Sequence, residues 1–237
     1  SLGPALARSV VICSTSDEPP LLRIRAALLG TAVAEFFREA GKRVLFLFDS
    51  LTRYARALRE VALAVGELPA RRGYPPSVFA RLPLLLERTG NSAHGSITAI
   101  YAVLVEGGDL EEPIADEVRG ILDGHIVLTR ELAERGHWPA VDALASISRV
   151  MPAVTDAQHQ FAAAQLRRVL ATYEQHRDLV LLGAYQRGSD ATLDDALRRI
   201  DAVNAFLRQG KEDHSTLAQT REVLMRLFAA DARSLPR

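Results

Sequence analysis

Residues 44–48, Val-Leu-Phe-Leu-Phe, form an unbroken apolar run that stops on Asp49 and passes directly into helical spacing. A short, uninterrupted run of this kind suits a central β-strand covered on both faces, since a half-exposed strand alternates apolar with polar residues. Three more runs share the texture: Ser9–Cys13, Ser96–Val105 and His125–Leu128. Ahead of the run that ends on Asp49, residues 21–41 (LLRIRAALLGTAVAEFFREAG) carry apolar side chains at helical spacing, with Gly41 placed to end the helix. Strand, helix, strand, helix predicts an α/β fold with a mostly parallel sheet.

The texture changes after Met151-Pro152. From Thr155 onward no strand pattern is present. Thr155 and Gln158 have the spacing of a capping box, and three helical stretches follow, the second closed by Gly210. The sequence therefore predicts an α/β part over residues 1–152 and an all-helical part over residues 153–237.

Bulk properties narrow the partners. The 29 basic and 29 acidic residues cancel, so net charge gives no argument for nucleic acid or an anionic membrane surface. Cys13 is the single cysteine, which rules out an intrachain disulfide and a cysteine-rich metal site and fits a reducing compartment. No two histidines have the spacing of a helical zinc site. No apolar run approaches the ~20 residues of a membrane span, and no signal peptide opens the chain. A cytoplasmic location is expected.

Asp49 is the candidate functional residue of this stretch. In open parallel sheets, ligands sit beyond the carboxyl ends of the strands, so a side chain directly after such a strand faces the crevice. A carboxylate there is suited to hold Mg²⁺ through its water shell. The competing role is structural, with Asp49 or Ser50 capping the helix that starts at Leu51. Arg53 lies one helical turn further on, near enough to the strand end to meet a phosphate. Leu51, Tyr54, Ala55, Leu58, Ala62 and Val65 form the apolar stripe of that helix, with Arg53, Arg56 and Arg59 off it.

Residues 42–90 (KRVLFLFDSLTRYARALREVALAVGELPARRGYPPSVFARLPLLLERTG) resemble the Walker-B strand and following segment of the type III secretion and flagellar export ATPases, relatives of the catalytic subunits of rotary F- and V-type ATPases. Residues 95–154 and 6–27 resemble the same family, and the likeness extends over nearly the whole chain, weakest after Lys211. The strings RGYPPSVF and EPIADEVRGILDGHIVL point to the export branch.

The resemblance implies a RecA-like α/β domain followed by an all-α C-terminal domain, and an ATP hydrolase that uses Mg²⁺. Asp49 matches the Walker-B aspartate, the metal-orienting residue. Arg53 matches an arginine near the γ-phosphate, and Arg149 matches the arginine finger that reaches into a neighbouring subunit's site. A guanidinium suits that task because it stays charged and offers a planar fork of donors to phosphate oxygens. Trp138 stands where relatives carry a tyrosine that packs on adenine; it also reads as a core aromatic beside Pro139. Phe206 resembles an aromatic that closes the adenine pocket, though its spacing equally fits helix core.

A P-loop requires Gly-x-x-x-x-Gly-Lys-[Ser/Thr]. Of the basic residues only Lys42 and Lys211 are lysines, and neither is followed by Ser or Thr. In the family the P-loop, the glutamate that polarises water and an N-terminal β-barrel lie upstream of the point matching Ser1. The expectation is a fragment that does not hydrolyse ATP alone, with the P-loop strand missing from its sheet and an unpaired edge or apolar gap left behind.

The family further implies a homo-hexameric ring, stalk and stator partners, chaperone–substrate complexes, and a position at the cytoplasmic face of the inner membrane. A non-catalytic binding module or ring subunit of the same superfamily is the alternative. A non-catalytic rotary subunit is disfavoured by the export-type strings. An RNA motor is disfavoured by zero net charge and by the lack of an aromatic-basic platform.

Overall fold

The computed structural model describes residues 3–232. It divides into two compact units, Ser1–Leu122 and Asp123–Arg237. The first holds α1 (Pro20–Glu39), β1 (Arg43–Asp49), α2 (Leu51–Ala64), α3 (Pro76–Leu86), β2 (Gly90–Asn91), β3 (Ser96–Ala102) and α4 (Pro113–Ile121). The second holds β4 (Gly124–Leu128), α5 (Arg130–Glu134), β5 (Val141–Ser148), α6 (Met151–Val154), α7 (Ala157–Leu181), α8 (Ala191–Leu207), α9 (Leu217–Leu227) and α10 (Ala229–Ala232). The chain is thus α/β with small sheets, followed by a helical C-terminal part.

In the first unit β1 and β3 pair in parallel along their whole length, from Arg43 opposite Ser96 to Asp49 opposite Ala102. The short β2 adds antiparallel to the start of β3, opposite Ile97 and Ser96. From Thr98 to Ala102 that edge of β3 has no strand partner among the described residues. Connections are tight. Gly41, at φ 77°, ends α1 in a conformation that costs a glycine little. Gly95 faces the same corner: an added Cβ would sit 2.5 Å from the Lys42 carbonyl oxygen and 2.6 Å from that of Arg38.

The expectation that the apolar strands are covered on both faces holds for one face only. Val44, Phe46 and Phe48 are half-buried, and Gly30 of α1 lies against the Phe46 ring. Leu45, Leu47 and Ile100 on the opposite face are more than half exposed. The core sits on the covered side, where Leu51, Tyr54, Ala55 and Leu58 of α2 meet Val78, Leu82 and Leu85 of α3 and Ile114 and Val118 of α4. Burying such side chains contributes about 1.5–3 kcal/mol each. Val65, expected in the α2 stripe, is exposed because the helix ends at Ala64. Glu35 of α1 and Arg88 after α3 form a two-pronged ion pair, and Arg38 Nη1 donates to the Arg88 carbonyl at 2.9 Å.

Residues Ser9–Cys13, expected as a strand, are not one, and Val10 and Val11 are exposed. A strand exists only when a neighbour completes its ladder, and none of the described strands pairs with this segment. The converse also occurs: Val141–Ser148 was not expected as a strand, yet it forms β5, antiparallel to β4.

The helical part of the second unit packs Ala162, Leu166 and Val169 of α7 against Ala196, Ile200 and Val203 of α8 and Leu224 of α9. The α7 cap differs from expectation. Asp156, not Thr155, accepts from the His159 amide at 2.8 Å, while the Thr155 hydroxyl turns back to the Met151 carbonyl. Helix α8 ends at Leu207, three residues before Gly210. A capping box does occur at Thr216 and Gln219, at the start of α9. No helix among the described residues is long and apolar enough to cross a membrane.

Candidate functional site

The ladder of β1 and β3 delivers Asp49 at the carboxyl end of the sheet, exposed to solvent. Two roles were open to this carboxylate, and the cap is taken by its neighbour. Ser50, 2% exposed, is the N-cap of α2, and its Oγ accepts from the Arg53 amide at 3.3 Å. Asp49 therefore stands at the strand exit without being needed to start the helix. The Asp49–Ser50 peptide is cis. Arg53, one turn along α2, is exposed, as the stripe pattern requires.

Thr52 braces this turn and carried no sequence signal of its own. Its buried hydroxyl accepts from the Leu104 amide at 2.8 Å and donates to the Leu104 carbonyl at 3.2 Å. The chain leaving β3 is thereby stitched to the first turn of α2, next to Asp49. Behind the turn, burial pushes the Tyr54 hydroxyl above its usual pKa, which keeps it neutral. A cleft of about 730 Å³ in this unit is lined by Arg56, Arg59, Arg72, Tyr74, Glu106 and Asp109, further along α2 than Asp49.

Asp49 offers one carboxylate, and no cluster of three or more potential metal ligands exists among the described residues. One carboxylate fits Mg²⁺ held jointly with water and nucleotide phosphates, and does not fit an ion caged by protein alone.

Trp138, Arg149 and Phe206 belong to the second unit. Arg149 follows the last residue of β5 and is exposed; its amide donates to the Asp123 carbonyl at 2.7 Å. Glycine is required beside that contact, because a Cβ on Gly124 would run into the Ile147 carbonyl across the β4–β5 pair. Trp138 is 58% exposed, and its carbonyl accepts from the Gln209 amide at 2.8 Å. That bond ties the loop before β5 to the chain just after α8, three residues beyond Phe206. Phe206 is half-buried against the helical core. His137, beside Trp138, is buried; burial first, then the positive charge of Arg208, holds its pKa below the usual histidine range.

A parallel strand that presents an exposed carboxylate at its exit, followed by a serine-capped helix, is an arrangement compatible with an α/β nucleotide-binding domain. Residues 2–148 match the ATP synthase alpha/beta family, nucleotide-binding domain, and the chain belongs to that family. Residues 155–226 match the T3SS EscN ATPase C-terminal domain, which places the chain with the secretion and flagellar ATPases.

The Flagellum-specific ATP synthase of Pseudomonas aeruginosa is 54% identical over 226 residues, covering 94% of this chain and 50% of that protein. The assembled ATPase EscN of the enteropathogenic E. coli type III secretion system superposes with a TM-score of 0.88 at 50% identity, over 90% of this chain and 52% of that one. EscN in complex with its central stalk EscO gives a TM-score of 0.82 at 49% identity, over 90% and 51%. The chain spans about half the length of the curated relatives it matches.

Proposed function

We propose that these residues form the Walker-B and helical portion of an ATPase that drives protein export through a type III secretion or flagellar apparatus. The observation that carries this reading is Asp49, exposed at the exit of β1 with the helix cap already supplied by Ser50. In this proposal Asp49 holds the water shell of Mg²⁺, and the metal's role is to neutralise the β- and γ-phosphates of ATP. Arg53 faces the γ-phosphate. Trp138 stacks on adenine, with Phe206 closing the pocket.

Arg149 acts in trans, donating to phosphate oxygens in the site of an adjacent protomer. An arginine that acts in trans makes the interface heterologous, and such an interface closes by rotation into a homo-hexameric ring. The assembled EscN and its complex with EscO support self-assembly around a stalk. Hydrolysis then releases chaperones and unfolds substrates at the cytoplasmic face of the inner membrane. The functional division falls near Met151-Pro152, with residues 1–152 in the nucleotide-binding domain and 153–237 in the helical domain. Residues 1–237 by themselves are inactive, since the lysine and amide cradle of a P-loop is absent from them.

Subunit mixing tests the shared site. In the full-length protein, Asp49→Ala and Arg149→Ala each abolish turnover, while mixing the two variants restores part of it, because some interfaces then combine an intact Asp49 with an intact Arg149. Mixed rings that stay silent although both variants fold and assemble would overturn the trans arrangement. An upstream sequence without a P-loop would overturn the ATPase reading and favour a non-catalytic ring subunit.

A further inference from the structure

Strand β5 reaches Arg149 by an irregular route. His125 pairs with Ile147, but two residues later Val127 pairs with Asp142, so β5 carries three more residues between the two pairings than β4 does. Residues Ala143 to Ser146 bow out of the ladder and need other partners for their backbone groups. Asp142 supplies some: its Oδ1 accepts from the Leu144 amide at 2.8 Å and the Ala145 amide at 2.9 Å. His125 Nε2 bonds to the Ala145 carbonyl at 3.0 Å. The Ser146 hydroxyl accepts from the Val127 amide at 2.9 Å and donates to the Asp142 carbonyl at 2.6 Å.

The remaining carbonyls of the bow are met from α7. Arg167 donates through Nη2 to the Leu144 carbonyl at 2.8 Å, and through Nη1 to the Ser146 carbonyl at 3.1 Å and to the Ala143 carbonyl. A guanidinium is the side chain able to do this, because its donors lie in one plane and spread over adjacent acceptors. Arg167 is itself anchored, since its sequence neighbour Leu166 is part of the α7–α8–α9 core. Ser146, the last carbonyl it holds, lies three residues before Arg149.

We propose that Arg167 is a positioning residue for Arg149: it fixes the bowed exit of β5 to the helical part, so that the helices set where the finger arginine stands. This rests on the reading of Arg149 as the finger. Loss of the fork leaves carbonyls of the bow to water and lets the strand exit drift, and a drift of about 1 Å in a catalytic group can cost about a hundredfold in rate.

The test uses the full-length protein with Arg167→Gln, Arg167→Lys, Arg149→Ala and the Arg149→Ala/Arg167→Gln double variant. Arg167→Gln is expected to lower kcat by about ten- to a hundredfold with little change in the KM for ATP, as for an interaction made only in the transition state. Arg167→Lys does not rescue it, because an ammonium cannot span the three carbonyls. The double variant loses no more than Arg149→Ala alone. Amide exchange speeds up across residues 143–149 while α7, α8 and α9 keep their protection. If Arg167→Gln fails to fold, Arg167→Lys carries the same comparison.

Faster exchange at 143–149 with unchanged kcat would overturn the proposal. Losses that multiply in the double variant would also overturn it. An Arg149→Ala protein with normal turnover would instead sink the finger reading on which it rests.

Discussion

Strands β1 and β5 each end by presenting a charged side chain, and they are held in opposite ways. Strand β1 runs seven residues in unbroken parallel register with β3, and its backbone ladder fixes where Asp49 emerges, with Thr52 bracing only the turn that follows. Strand β5 breaks register, and four side chains, those of His125, Asp142, Ser146 and Arg167, hold its bow ahead of Arg149. A backbone ladder is indifferent to side-chain identity and resists deformation. A side-chain scaffold depends on each member, and through Arg167 it answers to α7. The residue proposed to face the metal is thus built to stay fixed, and the residue proposed to act across a protomer boundary is built to be set by the helices.

The largest expected effects come from removing the two charges. Asp49→Ala and Arg149→Ala should each lower kcat of the full-length protein by ~10³ or more, measured by steady-state ATP turnover. Only Asp49→Ala should also abolish the dependence of nucleotide binding on Mg²⁺, read by titration in the metal's presence and absence. If Arg149→Ala abolished it too, the separation of roles between the strand exits would fail.

Next comes the support of the first unit. Leu58→Ala should destabilise by about 2–5 kcal/mol in thermal or urea unfolding, because Leu58 is buried between α2 and its neighbours and leaves a cavity. A smaller loss is expected from Asp142→Ala, about 1–3 kcal/mol, since two amides of the bow lose their acceptor. Its amide exchange should rise through residues 143–149. Ser50→Ala, its counterpart on the other side of the comparison, should cost about 1 kcal/mol. There the rise in exchange should stop at the first turn of α2 and leave β1 protected. Exchange spreading into β1 would mean that its exit, too, relies on side chains.

The smallest effect is a pH dependence in the first unit. The hydrogen bonds from Arg88 hold the Glu35 carboxyl below its usual pKa, against a smaller opposing push from partial burial. A depressed carboxylate stabilises the fold at pH values above its unfolded pKa, and that stabilisation fades as pH falls through the lowered folded value. The wild-type protein should therefore lose, below the ordinary glutamate range, a stability increment that Glu35→Gln lacks at every pH. With both partners partly exposed the increment is about 1 kcal/mol or less.

Much of this was legible in the residues. The run at 44–48, Gly41, and the periodicity of residues 161–185 each announce an element through local chemistry, and each forms close to where it was expected, the last as α7 over Ala157–Leu181. Asp49 and Arg53 could be placed at a strand exit because an apolar run followed by helical spacing leaves one place for them. Ser9–Cys13 has as good a strand pattern and remains irregular, since pairing is a property of neighbours and not of the segment. The case of β5 is the reverse. Val-Asp-Ala-Leu-Ala-Ser-Ile-Ser has neither an unbroken apolar run nor strict alternation, because part of its length is bowed and answered by side chains. Arg167 had no signal at all, being one arginine among 27.

The sequence by itself determined the strand that ends on Asp49, the helix that follows it with Arg53 one turn along, and the helical texture from Thr155 onward. These follow from hydrophobic periodicity and capping, which act over a few residues and can be read along the chain. The tertiary structure alone decided that Ser50 rather than Asp49 caps α2, that β5 bows, and that a guanidinium from α7 fills the bow. Those depend on which backbone groups are left unpaired once the strands have met, and unpaired groups are created only by folding.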